Sequence, residues 1–190
     1  MPRQSGFTLV EIMVVLVIVG LLLSMVNLNF SDRAAQQETE QFAQKLDVAF
    51  NRYREEAVFQ NLDLGVGWVP GELQLIGFYD LRQKSVAEGL TEEELSRLQE
   101  NPWAPIDIAL APTIEIPETM DVKLFVNDEE LDPPEVPDEN GALPTLIFLS
   151  SDEYLPFVFE LYHQDDESFV IRLIGDGIGP VRRRLERVDG

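Results

Sequence analysis

The sequence has no cysteine and a single histidine, His163. The absence of thiols excludes thiol catalysis, a disulfide framework and cysteine-ligated zinc. One histidine is too few for a multi-histidine metal site and a poor basis for a nucleophilic triad. We expect His163 to lie on the surface, at the end of a strand. Thiol or imidazole ligands for a metal ion are therefore not predicted.

Basic residues are also scarce: the 190-residue chain carries 14 of them against 35 acidic residues, a net charge of −21. Residues 31–190 alone hold 13 basic and 34 acidic residues. Such a surface repels phosphate groups, so nucleic acid is not expected as a partner. Apolar residues make up 45% of the chain. This content supports a real core, and the length suits one domain with an appendage.

Motifs of enzymes and cofactor sites are missing as well. The chain has no G-x-x-x-x-G-K or G-x-G-x-x-G phosphate-binding loop. Ser150 and Ser151 lack the G-x-S-x-G elbow of serine hydrolases and a plausible base. Trp68 and Trp103 are more typical of a core or an interface than of a ligand site. We therefore predict no cofactor and no enzymatic activity.

A long apolar run, FTLVEIMVVLVIVGLLLSMVNLNF, occupies residues 7–30, and 18 of its 24 residues are apolar. As a helix it is roughly 36 Å long, enough to span a hydrocarbon core of about 30 Å. Arg3 makes the six residues before it positive, which favours a cytoplasmic amino terminus and export of the rest. A secretory signal peptide fits poorly, because the run is too long and no A-x-A site follows. A plain membrane anchor is an alternative.

Two residues of this region need a more specific explanation. Glu11 places a carboxylate inside the apolar run, where a charge is costly and usually functional. Gly6 is a small residue directly before the run. With their neighbours these residues resemble the signal of type IV prepilins and type II secretion pseudopilins, a short basic leader followed by a fixed pattern. The matching residues are Gly6, Phe7, Thr8, Leu9, Val10 and Glu11.

The resemblance implies a processing step and an assembly step. A prepilin peptidase in the membrane is expected to remove the leader, residues 1–6, by cutting between Gly6 and Phe7, and to methylate the new amino group of Phe7. Residues 7–30 then form the transmembrane and assembly helix. Glu11 is expected to pair with the terminal amine of a neighbouring subunit during assembly, which would offset the cost of a charge in lipid.

Residues 31–60 continue in a helical pattern. Apolar side chains recur every three or four residues on one face, and charged or amide side chains occupy the other. The apolar face comprises Phe42, Leu46, Ala49, Phe50, Tyr53 and Ala57, and the polar face Glu38, Gln41, Lys45, Arg52 and Glu56. Because residues 21–64 contain neither proline nor glycine, we predict one continuous helix of about fifty residues ending within 61–67. A coiled-coil stalk is the alternative, although the stripe is short for sustained heptads.

The rest of the chain reads as strands, with a β domain predicted over residues 68–181. The predicted strands are 73–79, 106–111, 122–126, 145–149, 157–162 and 169–174. A short helix is predicted at 90–98, with Thr91 as its cap and Glu94 as the reciprocal partner. The expected fold is therefore α+β, a pilin-like long helix packed on antiparallel sheet, with two sheets favoured over one.

Two charged segments remain. Residues 127–142 contain seven acidic residues and no basic one, and we predict a solvated loop, with a calcium site as the alternative. The basic cluster RRRLER, residues 182–187, is predicted to be a solvated tail rather than a docking site for an acidic neighbour.

Two further stretches resemble the H-type minor pseudopilins. The first is the turn with Ser150, Ser151, Pro156 and Phe157, and the second is GDGIGPV at residues 175–181. This resemblance implies an inner-membrane protein with a periplasmic domain, which joins the tip complex of a short filament to its shaft. Other minor pseudopilins, the major pseudopilin and an inner-membrane assembly platform would be its partners. A minor type IV pilin and an unrelated membrane-anchored binding module are the alternatives.

Overall fold

The computed structural model describes residues 9–83, 86, 89–106, 113–133 and 141–188, without the side chains of residues 23–32. The predicted leader, and with it Gly6 and Phe7, lies outside the described residues. Two helices and ten strands are described: α1 (Leu9–Gln60), β1 (Leu64–Val69), β2 (Glu72–Phe78), α2 (Glu92–Glu100), β3 (Trp103–Pro105), β4 (Thr113–Glu115), β5 (Met120–Val126), β6 (Glu129–Leu131), β7 (Pro144–Phe148), β8 (Phe157–His163), β9 (Asp166–Gly175) and β10 (Arg182–Arg187).

Helix α1 is one continuous helix of 52 residues, which confirms the prediction of a single long helix. It ends at Gln60, and Asn61 follows with a φ of 51°. Asparagine tolerates this left-handed conformation, which is common just after a helix. The backbone N–H of Leu62 donates to the carbonyl of Ala57 at 3.0 Å. The chain therefore turns sharply out of the helix and enters β1.

The strands form two antiparallel sheets. The first sheet has the order β3-β2-β1-β7, with β4 also paired to β2, and the second has the order β10-β9-β8-β5-β6. The predicted α+β fold with a long helix on two antiparallel sheets is confirmed. Five of the predicted strands lie within one to three residues of β2, β5, β7, β8 and β9. Helix α2 is confirmed too, since Thr91 and Glu94 form the predicted capping box.

Strand β1 was not predicted, because residues 61–67 were expected only to end the helix. Its glycines resemble a turn in sequence, but here they permit close packing. A Cβ on Gly65 would lie 2.8 Å from the Cβ of Pro144, and one on Gly67 would lie 2.7 Å from that of Ala142. Glycine is thus required where β7 and the segment before it approach β1.

Two other predictions need correction, and a third is not tested. Of the strand expected at 106–111, residues 107–111 lie outside the described residues; the short strand β3 ends before it, at Pro105. The acidic segment 127–142 contains β6, which pairs with β5, while residues 134–140 lie outside the described residues. The basic cluster is not a tail: Arg182–Arg187 is strand β10, paired along its length with β9. Three consecutive arginines and a single leucine give this segment no apolar alternation, and therefore no strand signal in the sequence.

The core lies where α1 meets both sheets. The ring of Phe50 on α1 lies 6.2 Å from that of Phe148 in the first sheet, and 5.9 and 6.0 Å from those of Phe157 and Phe159 in the second. Trp68 also joins the sheets, with its ring 6.0 Å from Phe159. Aromatic contacts at these separations add to the burial of apolar surface. Helix and sheets therefore share one core.

Candidate assembly site

The amino-terminal part of α1 is exposed along the length that the structure describes. Every side chain described from Leu9 to Leu22 is exposed, and apolar side chains surround the helix. A helix that is apolar on all sides is normally buried in lipid or in other chains. Within the part of the chain whose side chains are described, no helix is long and apolar enough to cross a membrane. The predicted span, 7–30, extends beyond that part at both ends.

Glu11 lies in the first turn of α1. Its side chain is exposed beside Ile12, Val15 and Leu16, on a surface that is otherwise apolar. A carboxylate near a helix amino terminus interacts favourably with the helix dipole. Its placement on an exposed apolar surface is compatible with the predicted pairing during assembly, which stays a prediction.

The carboxyl-terminal part of α1 belongs to the β domain. The predicted apolar face is buried at Phe42, Leu46, Phe50, Tyr53 and Ala57, and half-buried at Ala49. On the predicted polar face, Glu38, Gln41, Lys45 and Arg52 are exposed. The helical stripe read from the sequence is therefore confirmed as the packing face, and the coiled-coil stalk is not needed to explain it.

His163 is buried, with 3% of its surface exposed, so the predicted surface position is wrong. It pairs with Met120 in the register of β5 and β8, beneath α1. Its Nδ1 accepts a hydrogen bond from the backbone N–H of Asp165 at 3.1 Å, and its Nε2 lies 3.6 Å from a carboxylate oxygen of Glu38. Thr119 donates to the other oxygen of Glu38 at 2.8 Å. The alternation of buried residues along β8 extends to residue 163 and could have revealed this.

Near its other end, α1 holds the segment 175–181. Asn51 accepts a hydrogen bond from the N–H of Val181 at 2.8 Å and donates to the carbonyl of Val181 at 3.2 Å. Gly177 and Gly179 have φ values of 94° and 87°, a conformation that other residues rarely adopt. Asn51 was not predicted as a site residue, although an amide directly beside the apolar stripe of α1 could have indicated it.

The turn between β7 and β8 lies against the same segment. The hydroxyl of Tyr154 donates to the carbonyl of Gly179 at 2.9 Å, and Arg54 on α1 forms an ion pair with Asp152. A Cβ on Gly175 would lie 2.5 Å from the ring of Phe157. The two stretches that resemble H-type pseudopilins, around Ser150 to Phe157 and at residues 175–181, are therefore packed together.

The outer face of the second sheet carries a polar network. Arg172 donates to Glu160 at 2.7 Å and also pairs with Glu186, while Tyr162 donates to Glu160 at 2.6 Å. Burial opposes ionisation of Glu160, but the hydrogen bonds from Tyr162 and Arg172 outweigh it and lower the pKa of Glu160. Burial and then Glu160 raise the pKa of Tyr162 to about 12. Arg184 also pairs with Glu186, at 3.3 Å, so each carboxylate of the network has a basic partner, as in a structural ion-pair cluster.

The acidic regions show no metal-binding geometry among the described residues. Among the described residues, no three histidine, aspartate or glutamate side chains are grouped so as to hold a metal ion. The calcium alternative for 127–142 falls partly on residues 134–140, outside the described residues.

Comparison with known proteins finds similarity both at the amino terminus and over the full length. Residues 1–27 match the family model described as "Prokaryotic N-terminal methylation motif". The chain is 25% identical over 189 residues to type II secretion system protein H of Pseudomonas aeruginosa, covering 100% of this chain and 98% of that protein. That relative is named as a component of a secretion apparatus.

Two solved structures are also similar. The minor pseudopilin EpsH from the type 2 secretion system of Vibrio cholerae matches with a TM-score of 0.45 and 16% identity, covering 80% of this chain and 94% of that one. The solution structure of E. coli GspH matches with a TM-score of 0.48 and 14% identity, covering 76% and 89%. The motif and the full-length relative confirm the resemblance predicted from the sequence.

Proposed function

We propose that this chain is a structural subunit of a periplasmic pseudopilus, in which it joins the tip complex of minor pseudopilins to the shaft built from the major one. The observation that carries the proposal is the division of α1. One part presents apolar side chains on all sides, and the other is built into the core of the β domain. A subunit with this division can insert its free helix into lipid before assembly and into a bundle of helices afterwards.

Processing precedes assembly in this proposal. Prepilin peptidase cuts between Gly6 and Phe7 on the cytoplasmic side and methylates Phe7. The uncut chain spans the inner membrane once, with its amino terminus in the cytoplasm and the β domain in the periplasm, because the positive charges precede the apolar run. Glu11 then pairs with the amine of Phe7 on a neighbouring subunit and guides entry into the helical bundle.

The role is mechanical rather than catalytic. In the network of the second sheet, Glu160 and Glu186 are each paired with an arginine, and the chain carries no phosphate-binding loop that could use ATP. Movement of the filament therefore depends on an ATPase elsewhere in the apparatus, reached through the inner-membrane assembly platform. The net charge of −21 does not favour nucleic acid as a partner.

The test is deletion of the gene in its own host, followed by two assays on the same strain. Secretion of folded exoproteins into the medium should fall, and the wild-type chain should restore it. Surface motility driven by type IV pili should be unchanged. Loss of motility with normal secretion would replace this proposal by the minor type IV pilin alternative. Normal results in both assays would leave the membrane-anchored binding module.

A further inference from the structure

An apolar groove opens beside β7, the edge strand of the first sheet. Its volume is about 450 Å³, and its walls include Ile147, Leu149, Glu153, Tyr154, Leu155 and Ile178. Ile178 is 73% exposed and Leu155 is 52% exposed. A cluster of large exposed apolar side chains around a depression is typical of an interaction site.

The walls of this groove are fixed by hydrogen bonds. The backbone N–H of Tyr154 donates to the carbonyl of Gly177 at 3.0 Å, and that of Leu149 donates to the carbonyl of Glu153 at 2.9 Å. The ion pair between Arg54 and Asp152 joins the same turn to α1. The apolar side chains are therefore held in position before any partner arrives, which lowers the entropy lost on binding.

The chemistry of the walls suits a polypeptide better than a small ligand. Small-molecule sites usually combine an apolar pocket with several convergent polar groups. Here the hydroxyl of Tyr154 is already bonded to the carbonyl of Gly179. Glu153 supplies the charge at the rim, and it forms no ion pair with a basic side chain among the described residues. The walls thus offer apolar contacts and one carboxylate.

The groove lies at the carboxyl-terminal end of α1. Ser150 donates its backbone N–H to Asp63, three residues beyond the helix, and Leu64 pairs with Phe148 at the end of β7. The contacts of Glu38 with Thr119 and His163 lie at the other end of the packed part of α1. Glu38 and Arg54 are roughly 24 Å apart along the helix axis, at 1.5 Å per residue. The groove is therefore on the side opposite the exposed apolar helix.

We infer that this groove docks an apolar segment of the neighbouring pseudopilin on the membrane-distal side, and that a basic residue of the segment faces Glu153. The inference rests on the proposed function, in which the apolar part of α1 points toward the membrane and the groove toward the tip. Charge complementarity favours a different subunit, because a second copy would bring another net charge of −21 against the same surface.

Photo-crosslinking in cells tests this contact with the full chain and the complete secretion apparatus. A photoreactive amino acid at Ile178 should form an adduct with another pseudopilin, at a peptide that combines apolar residues with lysine or arginine. Leu155→Asp should lower the yield of this adduct roughly tenfold, because it places a carboxylate in the apolar contact. Leu143→Asp is the matched control, since Leu143 is 58% exposed outside the groove walls, and the yield should not change.

Glu153→Lys is an independent test at an exposed position. It should also lower the yield of the crosslinked adduct, because it replaces the carboxylate that faces the basic residue of the partner. An adduct with a second copy, a secreted protein or lipid would overturn the inference, as would equal losses with Leu155→Asp and Leu143→Asp. The absence of an adduct in a strain that still secretes would overturn the groove contact and leave the proposed function intact. Normal secretion in the deletion strain would instead remove the proposed function.

Discussion

The two parts of α1 use the same backbone and similar side chains in opposite ways. From Leu9 to Leu22 the apolar residues are exposed on all sides, whereas from residue 42 to 57 they form one buried stripe. The helical periodicity of residues 42–57 is enough to predict their burial, because an apolar stripe needs only one surface to pack against. Apolar residues on every side need an environment that the β domain does not supply. The comparison thus separates a part of α1 that is packed in the β domain from a part that the described residues of this domain leave exposed.

The largest effect is expected from Gly6→Val, which should leave the leader attached. The peptidase must bring its catalytic groups close to the backbone at this position, and a branched side chain obstructs that approach. The uncut chain should accumulate in the membrane, and secretion should be lost. Gel mobility of the membrane fraction measures the uncut form. Cleavage of Gly6→Val as complete as that of the wild type would contradict the prepilin interpretation of the amino-terminal part.

Phe50→Ala should destabilise the β domain by about 3–5 kcal/mol, the usual cost of removing a buried phenylalanine. Phe50 is fully buried and contacts both sheets. Val48→Ala, two residues away on the exposed side of the same helix, should change stability by less than about 0.5 kcal/mol. Denaturant unfolding of both variants in detergent, followed by tryptophan fluorescence, gives the two values. Similar values would show that this part of α1 is not packed as described.

Glu11→Leu should insert into the membrane and be cut after Gly6 as usual, but enter the filament poorly. Without the carboxylate, the amine of Phe7 on a neighbour is left without its proposed partner, at a cost of about 3–5 kcal/mol in an apolar bundle. Crosslinking to the other pseudopilins should fall at least roughly tenfold. Ile12→Leu is the uncharged control and should behave as wild type. Normal crosslinking and secretion by Glu11→Leu would mean that the periplasmic domain alone directs assembly.

The smallest effect is expected at alkaline pH and is confined to the packed part of the molecule. Burial raises the pKa of Tyr53 to about 12, and burial together with Glu160 does the same for Tyr162, from an unfolded value of 10.0. Below pH 10 both states keep these protons. Between pH 10 and 12 only the folded state does, so stability should fall as pH rises through this window.

Tyr53→Phe should remove part of that alkaline loss of stability. Ultraviolet titration of the folded chain should show three tyrosines that ionise later than in the unfolded chain, because burial also raises the pKa of Tyr154. Ionisation of all four tyrosines near pH 10 in the folded state would contradict the burial of Tyr53.

Sequence reasoning predicted features that depend on period and spacing. The stripe around Phe50, the continuity of α1 and the capping box of Thr91 and Glu94 are local patterns, and each is present. Features that depend on distant neighbours were missed. Gly65 permits a close approach by Pro144, 79 residues later in the chain, and His163 is buried because α1 covers the end of β8. The residues that flank Gly65 and His163 in the sequence do not indicate that Pro144 and α1 are their neighbours in the fold.

The groove also depends on residues that are distant in the sequence, and it was not predicted for the same reason. Residues 150–157 and 175–181 each carried a family resemblance, but their spacing did not predict that Tyr154 would bond Gly179 or that Leu155 and Ile178 would line one depression. Strand β10 was missed for a different reason. Its four arginines suggest a solvated tail, and only the pairing with β9 makes it a strand.

The most direct test of the division of α1 uses the absence of cysteine from the chain. Val17 and Val48 have almost equal exposure, 61% and 63%, so Val17→Cys and Val48→Cys form a matched pair of unique labelling sites. In membranes with an open periplasmic face and no other pseudopilins, a membrane-impermeant maleimide should label Val48→Cys and leave Val17→Cys unlabelled until detergent is added. Equal labelling of both before detergent would contradict a lipid environment for the amino-terminal part of α1.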